Sequence, residues 1–250
     1  MHAIAVDDSG GKHLSDKAIP PKERLIVALD FPSVPEAKDF VETMGDEVMF
    51  YKVGLELFMA GGYLEFVEWL SGKGKKVFVD LKFFDVPQTV SNAVKQLDKY
   101  GATFATVHGN DSMLKAAADV GGDVKILAVT VLTSLDEGDM KDLGFKANIA
   151  EVVLSRAKRA IELGCDGVIS SGMEAQGLRN DLGANFLIVS PGIRPVENRE
   201  EDDQKRVVTP KEALEGGADY IVMGRPVTKA PDPVVAAKNI QKEIAELFPS

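Results

Sequence analysis

Short apolar runs alternate with longer segments of helical periodicity along most of the chain. The apolar runs are rich in β-branched residues, and the segments between them, such as PEAKDFVETM and YLEFVEWLSG, repeat apolar positions three and four residues apart. This alternation indicates parallel strands joined by crossover helices. The eight predicted strands are residues 25–30, 49–55, 76–82, 102–108, 125–132, 166–171, 185–192 and 219–224.

Eight strand–helix units predict an α/β protein with the closed (β/α)8 architecture of a TIM barrel, as a single domain over residues 23–250. Such a barrel needs about 250 residues, and the chain has 250. An open doubly wound sheet is the alternative, but no G-x-G-x-x-G follows the first strand, which argues against its dinucleotide-binding form. Residues 1–22 are polar and end in Pro20-Pro21, so we expect a short, flexible N-terminal tail.

Composition and charge narrow the function further. The net charge is -10, which disfavours nucleic acid or an anionic membrane as the main partner. Cys165 is the single cysteine, so the chain can form neither an internal disulfide nor a thiolate metal cage. No apolar run approaches the roughly 20 residues that a membrane span needs. We therefore expect a cytoplasmic protein.

Charged residues stand at the ends of several predicted strands. Asp30 ends the first strand, Lys52 lies late in the second, and Asp80 and Lys82 end the third. In a barrel the carboxyl ends of all strands open onto one face, where active sites of this fold lie. Structural salt bridges are the alternative, but a barrel rarely gathers so many charges for stability alone. The four side chains are therefore expected to converge on a functional site.

The segment D-x-K-x-x-D suggests a chemistry. Asp80 and Lys82 are two residues apart and should point to the same side of a strand. Asp85 lies three residues further on, where it could turn back to Lys82 or outward to a second subunit. A lysine between carboxylates should stay protonated, unlike the neutral lysine of a Schiff-base enzyme. The pattern favours proton donation or stabilisation of a developing negative charge.

Two glycine–cation pairs near the C-terminus suggest an anion site. Gly224 and Arg225 follow the eighth strand, and Arg194 follows the seventh in the segment PGIR. Barrel enzymes often bind phosphate with the loops after strands seven and eight. A tight turn with a surface arginine is the alternative reading of Arg225. Together the two segments predict a small phosphorylated substrate.

An ordered set of motifs resembles the orotidine 5'-phosphate decarboxylase family from about Leu25 to the C-terminus. The motifs are LIVALD, YKVG, D-x-K-x-x-D, LTS, PGIR, DDQ and MGRPVT. The resemblance implies decarboxylation of orotidine 5'-monophosphate to UMP, in pyrimidine biosynthesis, by a homodimeric barrel. It also implies that the reaction uses no metal and no organic cofactor.

The resemblance also implies a role for individual residues. Lys82 would protonate C6 of the pyrimidine, and Asp80 would lie beside the departing CO₂. Lys52 would bridge Asp80 and a ribose hydroxyl. Asp85 and Thr89 would enter the site of the neighbouring subunit. The remaining implied substrate contacts are Asp30 at the ribose, Thr133 at the pyrimidine, and Arg194, Gln204, Gly224 and Arg225 around the phosphate end.

Two other functions remain open from the sequence. The hexulose-phosphate synthase and ketogulonate-phosphate decarboxylase group shares D-x-K-x-x-D, but these relatives use Mg²⁺ and carry a glutamate where this chain has Lys52. A barrel that binds a nucleotide without turnover is the other alternative. His108, at the end of the fourth predicted strand, and Glu174, after the sixth, receive no role.

Overall fold

The computed structural model describes residues 13–195 and 207–249. Within these residues, eight parallel strands pair in chain order and the eighth pairs with the first, so the barrel is closed. The predicted (β/α)8 fold is confirmed. The strands are β1 Leu25–Ala28, β2 Phe50–Val53, β3 Lys76–Phe83, β4 Phe104–Val107, β5 Lys125–Val129, β6 Gly167–Ile169, β7 Leu187–Ser190 and β8 Tyr220–Met223.

Helices connect successive strands and cover the outside of the barrel. Thr209 and Glu212 form a capping box at the start of the helix that begins at Pro210. Among the described residues, no helix has both the length and the apolar character needed to cross a membrane. The helices are α1 Val34–Met44, α2 Leu55–Ala60, α3 Tyr63–Gly72, α4 Pro87–Asp98, α5 Asp111–Ala118, α6 Glu137–Asp142, α7 Ile149–Glu162, α8 Gly172–Leu182, α9 Pro210–Glu215, α10 Arg225–Thr228 and α11 Pro233–Leu247.

Most strands are shorter than their sequence patterns suggest. β1 ends at Ala28, two residues before Asp30, and β8 ends at Met223. Apolar character continues past the last ladder hydrogen bond because the chain stays buried as it leaves the barrel, as at Leu29. The charged residues near the strand ends therefore lie partly in loops, still on the C-terminal face.

Two apolar layers hold the fold together. Alternate strand residues point inward, where the rings of Phe50, Phe104 and Tyr220 meet with centroids 5.0 to 5.7 Å apart. The other strand residues face the helices and form the larger cluster, which includes Leu25 and Val27. Because side chains fill the barrel interior, a ligand has access to the strand ends and not to a central pore.

Residues 13–22 contact the N-terminal end of the barrel. Asp219, which precedes β8, is fully buried. Its Oδ1 atom accepts hydrogen bonds from Ser15 Oγ at 2.6 Å and Lys17 Nζ at 3.0 Å. Its Oδ2 atom lies 2.8 Å from Arg179 NH2, and Ile19 packs against the inner cluster. Residues 13–22 thus supply partners to a buried charge. The flexible tail expected over residues 1–22 remains a prediction.

Candidate active site

A chain of three charged groups lies at the C-terminal face of the barrel, on β2 and β3. Lys82 Nζ lies 2.9 Å from Asp80 Oδ1, and Lys52 Nζ lies 3.4 Å from Asp80 Oδ2. The Asp80 side chain is 12% exposed and that of Lys52 is 14% exposed. The predicted convergence of these residues is therefore observed, with the Asp80 carboxylate between two ammonium groups.

Asp30 extends this chain toward β1 and β8. Its Oδ1 atom lies 3.4 Å from Lys52 Nζ, and its side chain is 55% exposed. Gly224 follows β8 on the other side of Asp30: a Cβ atom built on this glycine would lie 3.7 Å from Asp30 Oδ2. The first and last strands thus place their ends against each other at one edge of the site.

The neighbouring charges determine the protonation of Asp80 and Lys52. Burial alone would raise the pKa of the Asp80 carboxyl, but the ammonium groups of Lys52 and Lys82 and the hydrogen bonds to this carboxylate hold it below its ordinary value. Burial alone would lower the pKa of Lys52, but the carboxylates of Asp80 and Asp30 raise it above its ordinary value. At neutral pH Asp80 is therefore an anion and Lys52 a cation.

Lys82 has an unusual backbone conformation. Among the described residues it is the one non-glycine residue with positive φ, at 48°, a conformation that costs about 1–3 kcal/mol and persists where the surroundings hold it. The pairing of β3 with β4 shifts register between Val79 and Phe83. The backbone N–H of Lys82 donates to Thr106 Oγ1 at 2.9 Å, and the same hydroxyl donates to Asp80 Oδ1 at 2.9 Å. This contact was not expected from the sequence, although a lone threonine in the apolar strand FATV was a signal that its hydroxyl has a partner.

Asp85 lies outside this chain of charges. Its carboxylate is exposed and accepts a hydrogen bond from the backbone N–H of Val86 at 2.6 Å. Within the described residues no ion pair joins it to Lys82, so the possibility that it turns back to this lysine is not realised. Thr89 is likewise exposed, in the first turn of α4. Both residues are exposed to solvent in this chain.

Three of the predicted phosphate-end residues, Arg194, Gly224 and Arg225, follow β7 and β8. Arg194 is 7% exposed, and its backbone N–H donates to Val208 O at 2.9 Å. Arg225 is exposed and begins α10 directly after Gly224. Gln204 lies outside the described residues. Thr133, in the loop after β5, is 7% exposed.

His108 and Glu174 also lie on this face. His108 is half-buried, and its ring contacts the ring of Phe84 at 5.7 Å in an edge-to-face arrangement. Burial, with the nearby charges of Arg156 and Lys82, lowers the pKa of His108. The ring is therefore neutral at physiological pH. Glu174 lies in the first turn of α8.

This arrangement is suited to chemistry that creates negative charge. Asp30 and Asp80 each already contact an ammonium group, which would compete with a divalent cation for these carboxylates. Lys82 is more exposed than Asp80, at 34%, so a substrate at the barrel mouth can reach it. The closed barrel and the charged strand ends define a (β/α)8-barrel enzyme.

Comparison with known proteins identifies the family. A sequence profile described as the orotidine 5'-phosphate decarboxylase / HUMPS family matches residues 23–240. The chain belongs to this family.

Individual relatives are similar over nearly their whole length. An orotidine 5'-phosphate decarboxylase of Methylococcus capsulatus is 60% identical over 235 residues, which cover 94% of this chain and 97% of the relative. One from Nitrobacter winogradskyi is 48% identical over 238 residues, with 94% and 97% covered. The crystal structure of orotidine 5'-phosphate decarboxylase from Lactobacillus acidophilus matches with a TM-score of 0.79 and 40% identity, over 89% of this chain and 99% of that one.

Proposed function

We propose that this protein decarboxylates orotidine 5'-monophosphate to UMP in pyrimidine biosynthesis, without a metal or an organic cofactor. Full-length similarity to relatives of that name supports the proposal. The observation that carries it is the Lys82–Asp80 contact of 2.9 Å, with Lys52 on the other oxygen of the same carboxylate. A protonated lysine at this position is what a carbanion intermediate requires.

In the proposed reaction the C6 carboxylate of the substrate leaves as CO₂, and the bonding electron pair stays on C6. The ammonium group of Lys82 stabilises this negative charge and then transfers a proton to C6, which leaves a neutral amine. Asp80 lies beside the substrate carboxylate, where two like charges favour the departure of CO₂. The positive charge of Lys52 keeps Asp80 ionised throughout.

The rest of the substrate binds around this centre. Lys52 and Asp30 contact the ribose hydroxyls, and Thr133 contacts the pyrimidine. Binding of the distant phosphate supplies energy that orders the reacting groups. The residues proposed for the phosphate end are Arg194, Gln204, Gly224 and Arg225.

We infer that the working enzyme is a homodimer. Large apolar side chains are exposed beside the site, and a second subunit would shield them from water. Asp85 lies between two of them, so an interface here would carry this carboxylate, with Thr89, into the site of the second subunit. The exposed side chains are Leu55 at 61%, Met59 at 79%, Phe84 at 66% and Val86 at 61%.

A Mg²⁺-dependent phosphosugar enzyme is the less favoured alternative. Lys52 places a cation against Asp80, at the position where the metal-dependent relatives are expected to carry a glutamate. Nucleic acid is not expected as a partner, given the net charge of -10. A cytoplasmic location remains a prediction.

The decisive test measures UMP formation from orotidine 5'-monophosphate by purified protein in buffer containing EDTA. Turnover by the parent protein and a loss of at least about 1,000-fold in Lys82→Ala are expected, because the proton donor is removed. Lys115→Ala is the matched control, since Lys115 pairs with Asp119 on the exposed face of α5. An inactive parent protein, or near-normal turnover by Lys82→Ala, would contradict the proposal, and activity restored by Mg²⁺ would favour the alternative.

A further inference from the structure

One buried hydroxyl connects the two residues at the centre of the site. Thr106, on β4, is fully buried. Its Oγ1 atom is 2.9 Å from Asp80 Oδ1 and 2.9 Å from the backbone nitrogen of Lys82. A hydroxyl has one proton to donate and lone pairs to accept with. Because a carboxylate can only accept and an N–H can only donate, the direction of both hydrogen bonds is determined.

The position of Thr106 matches an irregularity in the sheet. Phe78 and Val79 pair with Phe104 and Ala105, and pairing resumes only at Phe83 with Val107. The intervening part of β3 has more residues than the facing part of β4, as in a β-bulge. At this point the backbone N–H of Lys82 donates its hydrogen bond to the Thr106 hydroxyl instead of to a backbone carbonyl. The left-handed conformation of Lys82 occurs at the same residue.

We propose that Thr106 is a positioning residue, whose hydroxyl holds the Lys82 backbone in its left-handed conformation and sets the orientation of the Asp80 carboxylate. This inference rests on the proposed function. A single atom then determines both the direction in which the Lys82 side chain leaves the strand and the oxygen that Asp80 presents to it. Neither residue can rotate without breaking a hydrogen bond to the same hydroxyl.

The expected effect is on turnover more than on binding. The groups proposed to bind the ribose and phosphate do not contact Thr106 in the described residues, so KM depends little on it. Displacement of a reacting group by about 1 Å can cost about 100-fold in rate. Loss of the hydroxyl would displace both the proton donor and the carboxylate beside it.

The test compares three variants with the parent protein. Thr106→Val keeps the shape of the side chain and removes the hydroxyl, and we expect kcat to fall about 100-fold while KM changes by less than about threefold. Thr106→Ser keeps the hydroxyl and should lose less than about fivefold in kcat. Thr130→Val is the matched control: Thr130 is also fully buried at a strand end, and its hydroxyl donates to Ile169 O at 2.8 Å. Its kcat should stay within about twofold of the parent value.

Crystal structures of the parent protein and of Thr106→Val test the inference independently of activity, by the positions of Lys82 and Asp80. We expect the variant to show a changed φ at Lys82 or a rotated Asp80 carboxylate. Unchanged positions for both residues, or equal losses of kcat in Thr106→Val and Thr106→Ser, would overturn the inference. An inactive parent protein would refute the proposed function alone, because the structural comparison still decides the role of Thr106. If Thr106→Val does not fold, Thr106→Ala takes its place in both measurements.

Discussion

Lys52 and Asp80 form an ion pair between neighbouring strands, with Lys52 Nζ 3.4 Å from Asp80 Oδ2. This oxygen is the one that Lys82 does not contact. A single carboxylate therefore serves two lysines without placing their ammonium groups on the same atom. The order of charges, positive, negative, positive, follows from which strand end carries which residue.

Replacement of Lys52 by methionine should damage the site while keeping much of the side-chain volume. Asp80 would lose one of its two cationic partners, and Asp30 would lose its contact with the chain of charges. We expect kcat/KM for orotidine 5'-monophosphate to fall by at least about 100-fold, the usual effect of removing one preorganised charge. Steady-state kinetics measures this change. Lys115→Met is the control, and equal activity in both variants would show that Lys52 is not part of the site.

The stability of the protein should depend on the ionisation of Asp80 in acid. Its pKa in the folded protein lies below the ordinary value of 3.8, so on acidification the unfolded chain takes up this proton first. The contribution of Asp80 to the free energy of unfolding is therefore complete above that value and is lost as the pH falls through the folded pKa.

Urea titrations of the parent protein and Asp80→Asn between pH 7 and pH 3 measure this contribution. We expect the free energy of unfolding of the parent protein to decrease relative to that of the variant as the pH falls. A difference between the two proteins that stays constant over the whole range would mean that Asp80 is not held ionised by its neighbours.

Mixed dimers should reveal whether Asp85 works in the neighbouring subunit. Lys82→Ala and Asp85→Ala subunits should each be nearly inactive alone. Suppose that each site takes its Asp85 from the other chain. A dimer of one Lys82→Ala and one Asp85→Ala subunit then has one site in which both Lys82 and Asp85 are intact. Random mixing gives such dimers half the time, so about a quarter of the parent activity should return.

The measurement is the activity of the two variants after they are unfolded and refolded together. Each variant refolded alone is the control for incomplete inactivation. If the mixture recovers no activity, each site does not combine Lys82 of one chain with Asp85 of the other, and the inference about Asp85 is wrong. A Phe84→Glu variant adds an independent reading, since a charge on this exposed ring should weaken the dimer in sedimentation experiments.

The contact between residues 13–22 and Asp219 should contribute to stability. Asp219→Asn removes a buried charge that pairs with Lys17 and Arg179 and leaves their charges without a counterion, so we expect a loss of about 3–5 kcal/mol in the free energy of unfolding. Urea unfolding measures it. Asp111→Asn is the control, because Asp111 pairs with Arg159 while 54% exposed, and its loss should cost less than about 1 kcal/mol. Equal effects would mean that the buried contacts of Asp219 do not stabilise the fold more than an exposed ion pair does.

The strand pattern and the site charges could be predicted because they depend on short-range rules. Alternating apolar runs indicated eight strands, and residues two apart on a strand indicated that Asp80 and Lys82 would meet. The observed Lys82–Asp80 distance of 2.9 Å confirms this contact. In a parallel barrel, strand ends converge whatever the details of the loops, so Lys52 and Asp30 could be placed as well.

Other features depend on contacts between distant segments and could not be read from the sequence. The role of Thr106 arises from a register shift between β3 and β4, which no local pattern encodes. The docking of Ser15 and Lys17 requires a buried partner, Asp219, about 200 residues further along the chain. Whether Asp85 pairs with Lys82 depends on the turn before α4, and the sequence left this open.

Closure of the barrel also determines when the site can exist. Ile26 of β1 pairs with Phe50 on one side and with Val222 on the other, so the ring stays open until the last strand has been synthesised. Gly224 approaches Asp30 only after this step. On the ribosome the site is consequently among the last parts of the molecule to assemble, and a nascent chain that stops before β8 lacks the edge that Gly224 forms beside Asp30.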